Sequence, residues 1–449
     1  MLKRKIDSYL EHFYKEKRQA LLITGARQTG KSFSIRQFGT THYEHFVEIN
    51  FVDMPNAAVI LTGAKNSHEI LSRLSLLTME SMVPGKTMVF FDEVQECPEI
   101  VTSIKFLVEE GSFRYVLSGS LLGVELNDLR SEPVGYMDVK EMFPLDIEEF
   151  FEALGVNSQV MQTVREAWKQ RLPVDDFVHK QLLNLFKLYL IVGGMPAAVQ
   201  KYIDTNNLQT VVEEQQAIVR LYKRDISKYD KGHKLYIEDI FDLIPPELNA
   251  KNKRFVLKNL NENLKFARYE NSFLWLKDAG VALTTYNVEE PVVPLKLSRS
   301  RNLFKLFQND IGLLASQYAD GIQLRILNDE KGINFGSIYE NVVAQELRAH
   351  GFDLYYFNSK KQGELDFVIE YRGKVLPIEV KSGKDYQRHN ALTGVMANDD
   401  YQIAEAFVLS NANVKRVGRV TYLPIYMVAF LEKEHPISLI YRPDIAGLK

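Results

Sequence analysis

A multidomain α/β architecture is what this sequence predicts, and three features lead to it. At 449 residues the chain exceeds a usual single hydrophobic core, so two to four domains are expected. Short, largely apolar runs of strand length stand between stretches of helical spacing: Ala20-Leu21-Leu22-Ile23, Thr87-Met88-Val89-Phe90-Phe91 and Phe113-Arg114-Tyr115-Val116-Leu117. A glycine-rich turn, Gly25 to Ser32, links the first of these runs to the helix start Ser32-Phe33-Ser34-Ile35-Arg36-Gln37-Phe38. A charged fraction of 25% and a hydrophobic fraction of 46% are those of an ordinary soluble globular chain. The formal net charge is −3, so bulk charge implies no nucleic-acid partner, and any basic surface must be local. The single cysteine, Cys97, leaves no internal disulfide and fits a reducing compartment. The first residues lack the apolar stretch of a signal peptide, and no run of 18 apolar residues occurs. No membrane span is therefore expected, and a cytoplasmic location is.

The turn Gly25-Ala26-Arg27-Gln28-Thr29-Gly30-Lys31-Ser32 fits the pattern G-x-x-x-x-G-K-[ST], in the strand–loop–helix context that the pattern requires. Its glycines let the backbone bend and turn N–H groups toward phosphate oxygens, and the helix N-terminus adds favourable partial charge. Gly25, Gln28, Thr29, Gly30, Lys31 and Ser32 are the candidate ATP-phosphate ligands. Lys31 would reach the β- and γ-phosphates, and the Ser32 hydroxyl would ligate Mg²⁺. The second run ends in Asp92-Glu93. Unpaired buried charge is costly, so a buried strand ending in two acids needs a reason. Asp92 is the candidate second ligand of the Mg²⁺ shell, and Glu93 the candidate catalytic group that orients the attacking water. The third run ends in Ser118-Gly119-Ser120; ATPases of this build place a small polar residue there to sense the γ-phosphate, which makes Ser118 the first candidate and Ser120 the second.

In order and spacing, the strings G-A-R-Q-T-G-K-S, F-F-D-E-V-Q and V-L-S-G-S-L-L resemble a prokaryotic group of AAA-type P-loop ATPases that carry a C-terminal extension. Further echoes are Phe143-Pro144-Leu145-Asp146-Ile147-Glu148-Glu149-Phe150, Tyr189 through Pro196, and Tyr222-Lys223-Arg224-Asp225-Ile226. The resemblance covers most of the chain. One departure is that Gly135 is followed by Tyr136, where the group commonly has Gly-Arg. Arg130 and Arg224 remain as candidate charge stabilisers. AAA-type relatives often act as rings, so a homo-oligomer is implied as a candidate assembly.

From about residue 154 to 229 the spacing is helical, with Leu182, Leu185, Phe186 and Leu190 on one face, as suits a helical lid. A helix over Ile237–Ile244 is expected to end at Pro245-Pro246. A basic amphipathic stretch, Asn249 to Leu264, follows, with Lys251, Lys253, Arg254, Lys258 and Lys265 beside its apolar face. A helix over Tyr269–Ala279, with Gly280 as its cap, leads to a hairpin expected to pair Val281–Tyr286 with Val292–Leu297. Helices followed by a hairpin suggest a winged helix, which the resemblance also places here. DNA is its candidate partner, a protein partner the alternative, and a plain solvated face the competing reading of the charge.

Beyond residue 302 a helix through Glu340 precedes a strand at Leu354–Phe357 and two strands joined at Arg372-Gly373. Alternation points Glu379 and Lys381 the same way; Asp366 on the neighbouring strand can join them, and Glu340 is a plausible fourth member. Carboxylates with a lysine can bind a hard cation and activate water for phosphodiester cleavage. The order resembles the PD-(D/E)xK core of restriction endonucleases. Asp366 matches its first acid, Glu379 and Lys381 its E-x-K pair, and Glu340 its helix acid; Leu365 stands where proline is usual. The resemblance implies a second Mg²⁺ or Mn²⁺ at this site. An ion-pair network is the competing reading.

The expected organisation is a P-loop ATPase core at 1–153, a helical lid at 154–230, a winged helix at 231–301 and a restriction-endonuclease-like α/β domain at 302–449. The expected function is a Mg²⁺-dependent ATPase acting as a nucleotide-driven switch, with DNA as a candidate target. The alternatives are an ATP-regulated, metal-dependent nuclease and a non-cleaving signalling or scaffold protein.

Overall fold

The structure is a computed structural model that describes residues 2–64, 66–120, 135–229, 234–250, 253–256, 269–318, 321–328, 330, 335–433 and 442. In the N-terminal lobe, strands β1 (Ala20–Thr24), β2 (His45–Asn50), β3 (Thr87–Asp92), β4 (Arg114–Ser118) and β5 (Met137–Glu141) form a parallel sheet in the order β2-β3-β4-β1-β5. Successive side chains leave a strand on opposite faces. Leu21, Ile23, Phe90 and Val116 therefore meet α1 (Lys5–Glu16) and α2 (Lys31–His42) through Leu10, Phe13, Ile35 and Phe38. Leu22, Val89, Phe91 and Leu117 meet the other layer, α3 (Pro55–Leu61), α4 (Ser67–Leu77) and α5 (Pro98–Glu110). Cover on both faces explains why β1 and β3 read as continuous apolar runs. The carboxyl ends of β1, β3 and β4 converge on the loop before α2, where parallel sheets place their ligands.

Among the described residues seven helices follow: α6 (Ile147–Ala153), α7 (Ser158–Gln170), α8 (Asp176–Val192), α9 (Pro196–Thr205), α10 (Leu208–Tyr229), α11 (Lys234–Asn249) and α12 (Glu270–Asp278). Helix α8 starts where the Asp175 side chain accepts the N–H groups of Phe177 and Val178, and buries Leu182, Phe186 and Leu190. It stops at Gly193. A Cβ on the next residue, Gly194, would lie 2.0 Å from the Leu145 carbonyl oxygen, so only glycine lets these segments touch. Helix α11 does not stop at Pro245-Pro246 as the sequence predicts; it continues to Asn249. Ile240, Phe241, Ile244 and Leu248 on its buried face offset the lost backbone donors.

The C-terminal lobe is an eight-stranded sheet: β6 (Ala282–Val288), β7 (Arg299–Gln308), β8 (Tyr355–Ser359), β9 (Gly363–Tyr371), β10 (Lys374–Val380), β11 (Ala406–Ser410), β12 (Lys415–Val417) and β13 (Val420–Pro424). Its order is β12-β13-β11-β10-β9-β8-β6-β7. Helices α13 (Ile311–Ala315), α14 (Ile322–Leu327) and α15 (Phe335–Ala349) lead into β8, and α16 (Asn390–Met396) lies between β10 and β11. The hairpin partner of β6 is Arg299–Gln308, not the expected Val292–Leu297, with Tyr286 opposite Phe304 and Ala282 opposite Gln308. Pro291 and Pro294 cannot donate to a ladder, so pairing resumes only after the 3₁₀ turn Leu295–Ser298. The hairpin joins the larger sheet, because β6 runs parallel to β8 with Tyr286 opposite Tyr355. The expected boundary between 301 and 302 thus falls inside β7. Most of the expected basic stretch, including Lys251, Lys258 and Lys265, lies outside the described residues. Lys253 is described, and it is turned inward rather than presented to a groove.

One apolar cluster runs from Ala26 in the glycine-rich loop through Phe186, Tyr222 and Phe307 to Val343 and Leu431. The loop is thereby in packing continuity with the C-terminal lobe. Among the described residues no single helix is long and apolar enough to cross a membrane.

Candidate functional site

Strand β1 delivers the chain to Gly25, whose φ of +131° is open to glycine; an added Cβ would lie 2.1 Å from the Met142 carbonyl oxygen. Gln28 and Gly30 also take positive φ, and Gly30 caps α2 in the left-handed region. Thr29 is buried, its hydroxyl donating to the Ala26 carbonyl at 3.0 Å. Lys31 folds over the loop and donates from Nζ to the carbonyls of Gly25 and Ala26, each at 2.8 Å. Burial pulls its pKa down to about 8. Glu93 and Asp92 oppose that shift, so the ammonium is held by two carbonyls with two carboxylates nearby. The loop opens on a cavity of about 660 Å³ walled by Gln28, Gly30, Lys31, Ser32, Glu93 and Ser120 on one side and by Pro196, Gln200 and Leu221 on the other.

Asp92 ends β3 almost wholly buried. The Ser32 hydroxyl donates to its Oδ1 at 3.1 Å, and Asn50 Nδ2 donates to its Oδ2 at 3.2 Å. Burial raises the Asp92 pKa, with the Ser118 and Ser32 hydroxyls opposing. A serine hydroxyl beside a buried carboxylate is a hard oxygen pair, which fits Mg²⁺. Glu93 follows at φ +54°, its Oε2 accepting from Gln95 Nε2 at 2.5 Å and from the Ser120 hydroxyl at 3.3 Å. The Ser118 hydroxyl, the candidate phosphate sensor, donates to Asp92 Oδ1. The serine in the cavity wall is Ser120.

Arginines reach the cavity from places the sequence did not suggest. Arg130 lies outside the described residues, and Arg224 is exposed on α10. The cavity walls hold Arg4, Arg27 and Arg36. Arg4, buried at the start of α1, donates to the Thr29 carbonyl at 2.9 Å, the Phe143 carbonyl at 2.7 Å and Glu149 Oε1 at 3.1 Å. Arg27 donates from Nη1 to both oxygens of Asp225 on α10, at 2.8 and 2.9 Å, and from Nε to Ser120 at 3.3 Å. Tyr222, one turn earlier on α10, donates its hydroxyl to the Arg27 carbonyl at 3.0 Å and accepts from Asn309 Nδ2 at 3.4 Å. The phosphate loop, α10 and the residue after β7 are thus joined by hydrogen bonds.

The second set, Glu340, Asp366, Glu379 and Lys381, is also brought together. Lys381 Nζ lies 3.2 Å from Glu379 Oε2, and the Val380 N–H donates to Asp366 Oδ2 at 2.8 Å. Burial first, and Glu379 second, push the Asp366 carboxyl up to about 7. The sequence reading missed Lys305, fully buried on β7, with Nζ 2.8 Å from Glu364 Oε1 and 3.5 Å from Glu340 Oε2. It also missed that Lys253 pairs with Glu340 and Arg254 Nη2 lies 3.6 Å from Glu364. Lys305 interrupts the apolar run Phe304-Lys305-Leu306-Phe307, and a charge so placed demands a partner; that was the available signal. Among the described residues no group of three or more His, Cys, Asp or Glu side chains is arranged to hold a metal ion. The donor set at this centre therefore does not fit the expected second Mg²⁺ or Mn²⁺, because Lys253 and Lys305, which the expected motif does not contain, already pair with its carboxylates.

Residues 17–151 match the family model of an AAA domain. The N-terminal lobe is similar to an AAA domain over these residues, and is called the AAA lobe below. Residues 183–324 and 335–428 match two domains of unknown function, DUF8612 and DUF4143. No curated relative matches the sequence. Among solved structures, the Walker-type ATPase PABY2304 of Pyrococcus abyssi aligns at 14% identity and a TM-score of 0.41, over 71% of this chain and 96% of that one. The Aeropyrum pernix ORC1 protein in complex with DNA aligns at 12% and 0.29, over 72% and 92%. The Thermotoga maritima RuvB Holliday junction branch migration motor aligns at 13% and 0.28, over 66% and 91%. Likenesses this distant carry no function to this chain. For the AAA lobe, the family match and the loop geometry agree on a nucleotide-binding module.

Proposed function

We propose that this protein binds Mg²⁺-ATP at the AAA lobe, hydrolyses it, and uses the cycle as a switch that reorients α10 and the C-terminal lobe. The observation that carries the reading is the cavity walled by Lys31, Ser32, Glu93 and Arg27, with buried Asp92 behind Ser32 accepting its hydroxyl. Ser32 and Asp92 are the residues that would hold Mg²⁺, which supplies charge neutralisation at the phosphate oxygens. Lys31 exchanges its loop carbonyls for phosphate oxygens. Glu93 accepts a proton from the attacking water once phosphate competes for Ser120. Arg27 stands beside Ser120 and Glu93 and supplies the charge stabilisation for which Arg130 and Arg224 were the sequence candidates. Phosphate drawing on Arg27 loosens its grip on Asp225, and that contact leads directly into α10 and Asn309.

Hydrolysis and binding separate in one experiment. Glu93→Gln should lower turnover by roughly 10²-fold or more while leaving ATP affinity close to wild type. Lys31→Ala should lose both. Equal turnover in wild type and Glu93→Gln would overturn the hydrolytic reading. The nuclease reading is favoured by the order α15-β8-β9-β10-α16-β11 with the gathered acids, and disfavoured by Lys305.

A further inference from the structure

The carboxylate centre of the C-terminal lobe brings together four acids from three separate elements. Glu340 comes from α15, Glu364 and Asp366 from β9, and Glu379 from β10. Glu340 and Glu379 are almost wholly buried. Buried carboxylates must be paired, protonated or bound to metal. Here they meet lysines. Lys305 approaches Glu340 and Glu364 together and lies 5.0 Å from the centroid of the Tyr356 ring. Lys253 closes the remaining Glu340 oxygen, and Lys381 faces Glu379.

We propose that the ammonium of Lys305 is the resident cation of this centre, filling the place of a divalent metal, and that the centre is an ion-pair clasp rather than a metal site. Lys305 is carried by the hairpin strand β7 and Lys253 by the segment 253–256, which the Phe255 N–H ties to the Phe304 carbonyl at 3.1 Å. The clasp thus fastens the hairpin and that segment to α15 and to the central strands of the sheet. Burial and Asp366 raise the Glu340 carboxyl against the pull of Lys305 and Lys253, while Lys305 and Glu364 hold their charges. Burial works to strip Lys305 of its proton, but Glu340, Glu364 and Asp366 outweigh it and hold the pKa above that of a free lysine. Glu364 is likewise held below a free carboxyl, its burial outweighed by Lys305. A divalent ion placed among these oxygens would have to displace the Lys305 ammonium from Glu340 and Glu364. This goes beyond the ATP switch and stands whether or not that reading holds.

The test is Mn²⁺ uptake by the full-length protein without nucleotide, in a Lys31→Ala background that keeps the phosphate loop out of the readout. Bound Mn²⁺ is read from loss of the free-ion paramagnetic resonance signal, and melting temperature is followed in parallel. Wild type at Lys305 should take up no Mn²⁺ at concentrations that saturate a three-carboxylate site. Lys305→Arg, which keeps the charge, should behave the same way. Lys305→Ala should melt lower in chelator, gain one Mn²⁺ per chain and regain melting temperature with it. If it does not fold in chelator, recovery of native circular dichroism on adding Mn²⁺ counts for the proposal. Stoichiometric Mn²⁺ uptake with Lys305 intact, lost in Asp366→Asn, overturns it. So does Lys305→Ala that is as stable as wild type in chelator, or that Mn²⁺ leaves unmoved.

Discussion

Replacing Arg4 by methionine should damage the AAA lobe twice over, although residue 4 lies outside every recognisable motif. The side chain is 7% exposed, as is that of its partner Glu149. Removing one member of a buried ion pair costs about 3–5 kcal/mol, because the other charge is left without compensation. Glu149 keeps the Lys5 N–H at 2.6 Å and the Asp146 N–H at 3.1 Å, which places the expected loss near the low end, about 3 kcal/mol or roughly a hundredfold in the folding equilibrium. The second effect is local. The Thr29 carbonyl loses its donor, so the phosphate loop is held less firmly and ATP affinity should fall with stability. Urea unfolding followed by circular dichroism measures the first effect, and calorimetric ATP titration the second. Burial already raises the Glu149 pKa, with Asp146 adding and Arg4 opposing. A raised carboxyl contributes stability below its unfolded pKa and loses it as pH rises through its folded value. The deficit of Arg4→Met should therefore be smaller at pH 5 than at pH 8, and Arg4→Met/Glu149→Gln should recover part of it. A variant within about 0.5 kcal/mol of wild type, binding ATP normally at both pH values, would refute the reasoning.

Two other perturbations have defined outcomes. Arg27→Ala should lower ATP turnover more than ATP affinity, whereas Asp225→Asn, which frees Arg27, should leave turnover at or above wild type; equal losses in both would make the pair purely structural. Burial raises the Asp310 carboxyl from 3.8 to about 6, so stability from this group is present below pH 4 and lost as pH rises through about 6, a span of about 3 kcal/mol. Asp310→Asn should lower absolute stability, since Asp310 accepts from Gly194 N–H at 2.6 Å and Leu313 N–H at 2.9 Å. It should also flatten the pH profile between 4 and 7, and an unchanged slope in urea midpoints would contradict the assignment.

What the sequence disclosed is what neighbours in sequence decide. Gly25 through Ser32 is a contiguous motif between a strand and a helix, and Asp92-Glu93 ends an apolar run, so both could be read directly. The turn at Arg372-Gly373 was equally local: both residues take positive φ, and Lys374 faces Tyr371 across it. Arg4 was silent because its partners Thr29, Phe143 and Glu149 are 25, 139 and 145 residues away. Arg27 was read only as a spacer in the motif, since Asp225 lies 198 residues on. The position of Ser118 at the end of β4 is legible in the sequence, but its hydrogen bond to buried Asp92 on the neighbouring strand is not. Helix α11 ran through two prolines because its packing on the core outweighed local propensity, and β7 was misplaced because Pro291 and Pro294 were not weighed against pairing. At the C-terminal centre the acids were legible as a pattern. The cation among them was not, because Lys305 belongs to a hairpin assigned to another domain.

The central claim is that nucleotide at the AAA lobe moves the C-terminal lobe through α10. Hydrogen exchange on the Glu93→Gln protein, compared with and without Mg²⁺-ATP, tests it most directly, because the bound nucleotide is then not consumed. The account predicts changed protection in the loop 25–32, in α10 around Tyr222 and Asp225, and at Asn309 and Asp310 after β7. Changes confined to residues 17–151, with α10 and the C-terminal lobe unmoved by saturating ATP, would contradict it.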